Sequence, residues 1–416
     1  MELHDALVVG VDTGGTFTDF VYVTPDGEVG TYKTLSTPKN PAEAVLKGLE
    51  VIGVERVAHV VHGSTVATNA VLERKGVKTA LITNSGFEDV IEIGRQNRER
   101  IYDLLYVKPP PLVPESLRFG VSGRILCTGE EETPISREEV ESVIERILKM
   151  GAESVAVCLL FSFVNPSHEE VISEICEKRG LSVSASHRIL PEFREFERTS
   201  TTVLNAYVSP IMKRYLTHLV TRLGGDERLR VMQSNGGSIS SRTAMVESIR
   251  TILSGPAGGV VGAFEVGRRA GYDRLITFDM GGTSTDVSLV DGKVSLTTES
   301  KISGWPIRVP MIDIHTVGAG GGSIARIDEG GSLKVGPESA GADPGPICYG
   351  KGEEVTVTDA NLFLGRLIPD HFLGGKMKLH PERVVPRMEA LAEKAGLSPV
   401  ELAEGILDVA NATMEK

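Results

Sequence analysis

Asp12-Thr13-Gly14-Gly15-Thr16-Phe17-Thr18-Asp19 and Asp279-Met280-Gly281-Gly282-Thr283-Ser284-Thr285-Asp286 are two copies of one pattern, Asp-x-Gly-Gly-Thr-x-Thr-Asp, set 267 positions apart. Their flanks agree. An apolar run leads in, Ala6 to Val11 and Leu275 to Phe278, and another leads out, Phe20 to Val23 and Val287 to Val290. Asp26-Gly27 and Asp291-Gly292 then supply a turn pair. Strand, tight loop, strand and Asp-Gly turn predict a hairpin with a functional tip. Two such units facing each other would make a cleft.

The pattern suits a phosphate. Gly-Gly lets a backbone come close to a ligand. Thr hydroxyls and successive N–H groups offer donors to phosphate oxygens. The first Asp ends a predicted buried strand, where a carboxylate is costly without a partner. Mg²⁺ is such a partner, since it takes carboxylates alongside substrate phosphates. Two tips of this kind could hold one Mg·ATP between them. A single Gly-Gly-Thr is ordinary turn punctuation; the matched pair carries the reading. No Gly-x-x-x-x-Gly-Lys-Ser/Thr occurs, and Gly318-Ala319-Gly320-Gly321-Gly322-Ser323 lacks the last Gly of the dinucleotide fingerprint.

The length of 416 residues predicts two or more domains, and 41% hydrophobic content supports true cores. A net charge of −12 with no basic run argues against nucleic acid as a partner. Cys127, Cys158, Cys176 and Cys348 are too far apart for a CxxC site and fit a reducing cytoplasm. No segment has the length of a membrane span, and the first apolar run lacks a basic start.

The first part alternates strand and helix. Asn40-Pro41 starts a helix that Gly53 stops, and Val57 to Val61 is a strand. A helix over Ser64 to Lys75 and a strand over Lys78 to Thr83 follow. Ser136 and Glu139 form a capping box, Val155 to Phe161 a buried strand, and Asn165-Pro166 opens a helix ending at Gly180. This order predicts an α/β lobe over 1–187 with a largely parallel sheet. Residues 188–229 read as a helical connector, with Phe193, Phe196, Tyr207 and Tyr215 as packing aromatics. Residues 230–416 read as a second α/β lobe, opening on strand Arg230 to Gln233. Its last helix has a capping box at Ser398 and Glu401 and an apolar face of Leu402, Ile406, Leu407, Val409, Ala410 and Met414. Nothing after it is available to cover that face, which predicts a truncated domain or a partner chain.

Further segments resemble the A-type, large ATP-binding subunit of the hydantoinase/5-oxoprolinase family. They are GVDTGGTFTDF (10–20), HGSTVATNAVLERKG (62–76), EIGRQNRERIYDL (92–104), MQSNGG (232–237), LSGPAGGVVGA (253–263), FDMGGTSTDVSLV (278–290), DIHTVGAGGGSIA (313–325) and SAGADPGPICYG (339–350). The resemblance implies the actin-like ATPase fold, two duplicated α/β lobes around a nucleotide cleft, as in sugar kinases and heat-shock chaperones. It implies a cytoplasmic enzyme that uses ATP and Mg²⁺ to open a cyclic amide such as 5-oxoproline or a hydantoin. It also implies a B-type partner subunit, with a homo-oligomer open. Family chains run longer and carry a further Gly-rich, adenosine-binding segment. The reading therefore expects a fragment or half of a split subunit, weak in ATP binding by itself.

On this resemblance Asp12 and Asp279 handle Mg²⁺, while Thr13, Gly14, Gly15, Thr16, Gly281, Gly282 and Thr283 hold phosphates, with Gly318, Gly320 and Gly321 beside them. Asp19 and Asp286 are either their partners or turn caps. Asp313 and His315 are expected on one face of a strand, which suits metal ligation or proton transfer, or plain packing. His62, Thr65 and Asn69 stand at an expected helix N-terminus that can receive an anionic substrate, although capping explains the hydroxyls equally well. Arg95, Gln96, Asn97, Arg98 and Arg100 form a polar run suited to substrate or lobe contacts, or equally to a plain solvated loop. Two rivals stay open: an ATP-dependent carboxylase of a ketone such as acetone, and a non-enzymatic actin-like ATPase scaffold.

Overall fold

The computed structural model describes residues 7–14, 17–37, 40–97, 101–341, 343–375 and 377–415. Gly15, Thr16, Arg98 and Arg100 lie outside the described residues. The chain divides into two compact α/β units, residues 1–258 with 296–312 and residues 259–295 with 313–416.

The first unit begins with β1 (Leu7–Thr13), β2 (Phe17–Val23) and β3 (Val29–Leu35), an antiparallel meander. Helix α1 (Pro41–Ile52) carries the chain back to β4 (Val57–Ser64), which pairs in parallel with β1. Pro41 suits the first helical turn, where its missing N–H has no partner to lose. Gly53 ends α1 at φ 102°, its N–H donating to Leu49 O. Asn40 does not cap the backbone as expected; its amide donates to the Glu43 carboxylate at 2.8 Å.

Strands Leu229–Met232 and Ser238–Ser240 extend this sheet beyond β4, giving six strands. Residues 229–258 thus pack in the first unit, where the sequence placed the opening of a second lobe. The cause is pairing: Leu229 lies opposite Val60, which gives β4 its second parallel neighbour.

A second, fully parallel sheet joins β5 (Thr79–Asn84) to strands Arg118–Val121, Ser154–Val157 and Ser182–Ala185. The expected strand to Phe161 stops at Val157. Beyond it the chain turns, with Phe161 at φ 57°. Buried Glu169 accepts from Leu159 N at 2.8 Å, and buried Arg198 donates to Leu159 O at 2.7 Å. The Ser136–Glu139 box is half formed: Ser136 Oγ accepts from Glu139 N, but the Glu139 carboxylate turns to Ser122.

Helix Glu195–Leu223 is more than a connector. It packs against strands of the second sheet and against α1 (Pro41–Ile52) and α2 (Val66–Leu72), with Tyr207 and Tyr215 both buried. Phe193 is the exception among the expected packing aromatics; it precedes the helix and is exposed.

The second unit holds a three-stranded antiparallel sheet, Arg274–Met280, Thr285–Asp291 and His315–Val317, then a hairpin of Ser323–Ile327 with Leu333–Ser339. Helices Val357–Phe363, Pro381–Ala395 and Pro399–Met414 complete a separate core. The last helix has its full capping box at Ser398 and Glu401. Its apolar face is covered, contrary to expectation: Leu402, Ile406, Leu407 and Ala410 are buried. Preceding elements, the two helices before it and strand Leu333–Ser339, supply the cover. Among the described residues no helix is long and apolar enough to cross a membrane.

Candidate functional site

Both copies of the repeated motif fold into the same local structure. β1 and β2 pair with Asp12 opposite Asp19, and Gly14 N donates to Phe17 O at 2.9 Å. Arg274–Met280 and Thr285–Asp291 pair with Asp279 opposite Asp286, and Gly281 N donates to Ser284 O at 2.9 Å. A Cβ on Gly14 or on Gly281 would stand 3.3 Å from that same carbonyl oxygen. The third strand repeats too. Asp19 faces Lys33 and is ion-paired with it at 2.6 Å. Asp286 faces Thr316 and accepts from its Oγ1 at 2.6 Å. Neither second Asp caps a turn.

Asp12 and Asp279 are exposed, not the costly buried carboxylates the strand pattern suggested. Each stands where its strand runs out into the tip. The Asp12 carboxylate passes between two glycines; a Cβ on Gly63 or Gly255 would each come 3.0 Å from Asp12 Oδ1. Burial raises the Asp286 carboxyl above the ordinary range, opposed by the Thr316 hydrogen bond, and the neighbouring Asp279 carboxylate adds to the rise. Among the described residues no group of three or more His, Cys, Asp or Glu side chains is set to enclose a metal ion. Mg²⁺ does not need one: it keeps several waters and takes one or two carboxylates plus substrate phosphates. Exposed Asp12 and Asp279 fit that requirement.

Thr13 and Gly14 line a cavity of about 520 Å³ with Thr37, Thr65, Asn69 and Lys75. Ser36 Oγ donates to Gly14 O at 2.8 Å and shares a hydrogen bond with Thr18, which ties the tip to the end of β3. Thr65 Oγ1 donates to Thr13 O, and Asn69 Nδ2 donates to Thr65 Oγ1. The expected helix over Ser64 to Lys75 is α2, Val66–Leu72, and one of its first N–H groups, that of Val66, already donates to Ser64 Oγ.

His62 is wholly buried and belongs to the core. Its Nδ1 lies 3.3 Å from Val11 O, and its Nε2 lies 2.6 Å from the Tyr215 hydroxyl. A carbonyl only accepts, so Nδ1 carries the proton and Nε2 accepts from Tyr215. Burial pushes the imidazole down to about 4, which keeps it neutral near pH 7. Arg95 and Asn97 line a different cavity, about 180 Å³, with Gln96, Phe196, Glu197 and Trp305. Arg95 is held there by a bidentate pair with Glu197, at 2.8 and 2.5 Å.

In the second unit the glycine loop and the motif tip are one piece. Gly321 N donates to Gly281 O at 3.0 Å and Gly322 N donates to Gly282 O at 2.6 Å. A Cβ on Gly320 would meet Gly281 O and Gly282 O at 2.8 Å, and one on Gly321 would meet Thr358 Oγ1 at 2.8 Å. Gly320 and Gly321 therefore brace the tip from behind, while Gly281, Gly282, Thr283 and Gly318 are exposed. His315 is exposed in the edge strand opposite Val287, and Asp313 lies before that strand, so the expected alternating Asp-x-His strand is not formed. Gly63, Gly255 and Ser339 were not singled out from sequence, although each lies within a quoted family-like segment; Tyr215 was read only as a packing aromatic, and nothing local in the sequence marks its bond to His62.

The match to known proteins covers both halves. Residues 8–180 match the hydantoinase/oxoprolinase N-terminal region, and residues 198–416 match hydantoinase/oxoprolinase. The chain belongs to the hydantoinase/oxoprolinase family. It is 41% identical to an uncharacterized protein of Methanocaldococcus jannaschii, across 98% of this chain and 64% of that one. It is 39% identical to caprolactamase subunit alpha of Pseudomonas jessenii, across 98% and 61%. A nucleotide-free structure of acetone carboxylase, from work on ATP-dependent acetone carboxylation, shares its α/β fold with a TM-score of 0.84 at 33% identity, over 99% of this chain and 62% of that one. The chain spans less than two thirds of the length of each of these relatives.

Proposed function

We propose that this chain is the phosphate-handling part of an enzyme that spends ATP to open a cyclic amide, on an actin-like fold of two duplicated lobes. The observation that carries the reading is the repeated hairpin, with equal register, an equal Gly N–H bond and an antiparallel third strand on the same side, seven residue pairs long in one copy and three in the other. Asp12 and Asp279 would hold Mg²⁺ through its waters. Thr13, Gly14, Gly15 and Thr16 at one tip, and Gly281, Gly282 and Thr283 at the other, would offer donors to phosphate oxygens. Bound Mg²⁺ would neutralise phosphate charge and orient the γ-phosphate.

The chemistry asked of the site is activation. A lactam carbonyl is a poor electrophile and its amine a poor leaving group. Transfer of the γ-phosphoryl group to the amide oxygen gives an imidate-like phosphate. Water then adds to that carbon and the C–N bond breaks as the nitrogen takes a proton, which leaves a free amine and an acyl phosphate. A second water attacks the acyl carbon, its C–O bond to phosphate breaks, and an amino acid and phosphate are released. Caprolactamase subunit alpha, at 39% identity, supports a lactam as the substrate class. Its description as a subunit supports a second, B-type chain in the working enzyme. Ketone carboxylation is the second reading, supported by the TM-score of 0.84 to acetone carboxylase.

One experiment separates them. The assembled enzyme is given ATP with a lactam labelled by ¹⁸O at the carbonyl, or with a ketone and bicarbonate. The lactam reading expects ¹⁸O in the released phosphate. Carboxylated ketone, with no lactam turnover, would support the second reading instead.

A further inference from the structure

The two hairpins are one element in two settings, and the settings differ on one face. In the first unit Val9, Val11 and Thr13 of β1 are 0%, 3% and 2% exposed, and Phe20 of β2 is 1% exposed. Helix α1 closes over this face, with Gly48 so near the Phe20 ring that a Cβ there would fall 2.0 Å from it. β4 runs parallel along the outer edge of β1, placing Val60 opposite Val9 and His62 opposite Val11.

The same positions in the second hairpin are Ile276, Phe278 and Met280, at 68%, 56% and 38% exposure. Leu289, opposite Ile276, is 65% exposed. On the other face Thr277 is buried; on the face of Ile276, Thr285, opposite Met280, is buried and donates to Met414 Sδ of the last helix, so the open part of the face is Ile276, Phe278 and Leu289. Strand Arg274–Met280 is also an edge: among the described residues only Thr285–Asp291 pairs with it. Natural proteins blunt such an edge with proline, lysine or a bulge. This one has an unbroken register over seven residues and no proline or lysine. A contiguous apolar face beside a free edge marks an interaction surface.

We infer that this surface takes a strand and an amphipathic helix from the polypeptide corresponding to the part of family chains that this chain does not match. The strand pairs in parallel with Arg274–Met280, as β4 does with β1, and the helix lies over Ile276, Phe278 and Leu289, as α1 does over Phe20. The internal repeat defines the shape of the occupant. The relatives provide its source, since 98% of this chain accounts for only 61% of the caprolactamase subunit. A second copy of this chain is a poorer occupant, because two-fold symmetry would pair the two edges antiparallel. The inference is independent of what the enzyme turns over.

Hydrogen–deuterium exchange tests it in two proteins. One is this chain; the other is this chain fused to the unmatched part of the Pseudomonas jessenii caprolactamase subunit. In the chain by itself, the outward amides of 274–280 should exchange at least tenfold faster than those of 7–13, at every protein concentration. In the fusion they should slow by at least tenfold. Ile276→Asp with Phe278→Asp should reverse that slowing and leave the amides of 7–13 unchanged. Slow exchange in the chain by itself would overturn the inference: a face already covered if independent of concentration, a second copy if not. An insoluble fusion, or a soluble one with no slowing, would overturn it as well.

Discussion

Asp12 and Asp279 carry most of the proposed chemistry, and both stand in solvent at a strand end. Asp279→Asn therefore leaves no buried group unpaired, and unfolding free energy should stay within about 0.5 kcal/mol of wild type. ATP turnover by the assembled enzyme should fall at least about 100-fold, since the substitution removes charge from a Mg²⁺–phosphate site worth several kcal/mol. Denaturant titration beside a phosphate-release assay checks both halves; undiminished turnover would remove the assigned role. His62 behaves oppositely. Its folded value of about 4 lies below the ordinary 6.5, so the unfolded chain binds the proton first as pH falls. Its contribution is complete above pH 6.5 and is lost as pH falls to about 4. At 1.36 kcal/mol per unit the loss is about 3 kcal/mol. The difference in unfolding free energy between wild type and His62→Leu should shrink by about that much across this window; a constant difference would mean that His62 does not titrate there. None of this was legible in the sequence. His62 stands among hydroxyls that suggest a ligand, and the Tyr215 that occupies its ring lies 153 residues away.

Among the elements, glycines decide how closely things approach. Gly48→Ala would ordinarily stabilise a helix by about 1 kcal/mol. Here the Phe20 ring stands 2.0 Å from the added carbon and is itself 1% exposed, so it has little room to move. Overpacking of about 1–3 kcal/mol should win, giving a net loss of stability in denaturant titration. Gly320→Ala should act on the site, because its Cβ would meet backbone atoms of Gly281 and Gly282 at 2.8 Å. The tip must then shift, so ATP turnover should fall more steeply than overall stability; unchanged kinetics would show that this loop does not position the tip. The hairpins themselves were legible because the motif occurs twice with matching flanks, and a coincidence of that length is rare. The bracing by Gly320 and Gly321 was not, because it joins two backbones about forty residues apart and leaves no mark but small side chains. The half-formed box at Ser136 shows a related limit: the motif is correct, but Glu139 finds a nearer donor in Ser122.

At the scale of the whole molecule, strand–helix alternation made the α/β class readable from sequence. The division into units was not readable, because residues 296–312 return to the first unit after the second has begun. The covered C-terminal helix has a similar cause. The partners of its apolar face come earlier in the chain, from two preceding helices and strand Leu333–Ser339, and the helix's own periodicity does not say where they lie. The central claim is that the two repeated tips act on one nucleotide, and a double-variant cycle on the assembled enzyme tests it. Phosphate release is measured for wild type, Asp12→Asn, Asp279→Asn and the double variant. Groups that act as a unit are strongly non-additive. The account predicts that each single variant loses at least about 100-fold and that the double variant is little worse than either. Near-wild-type turnover in either single variant, or losses that simply multiply in the double, would contradict it.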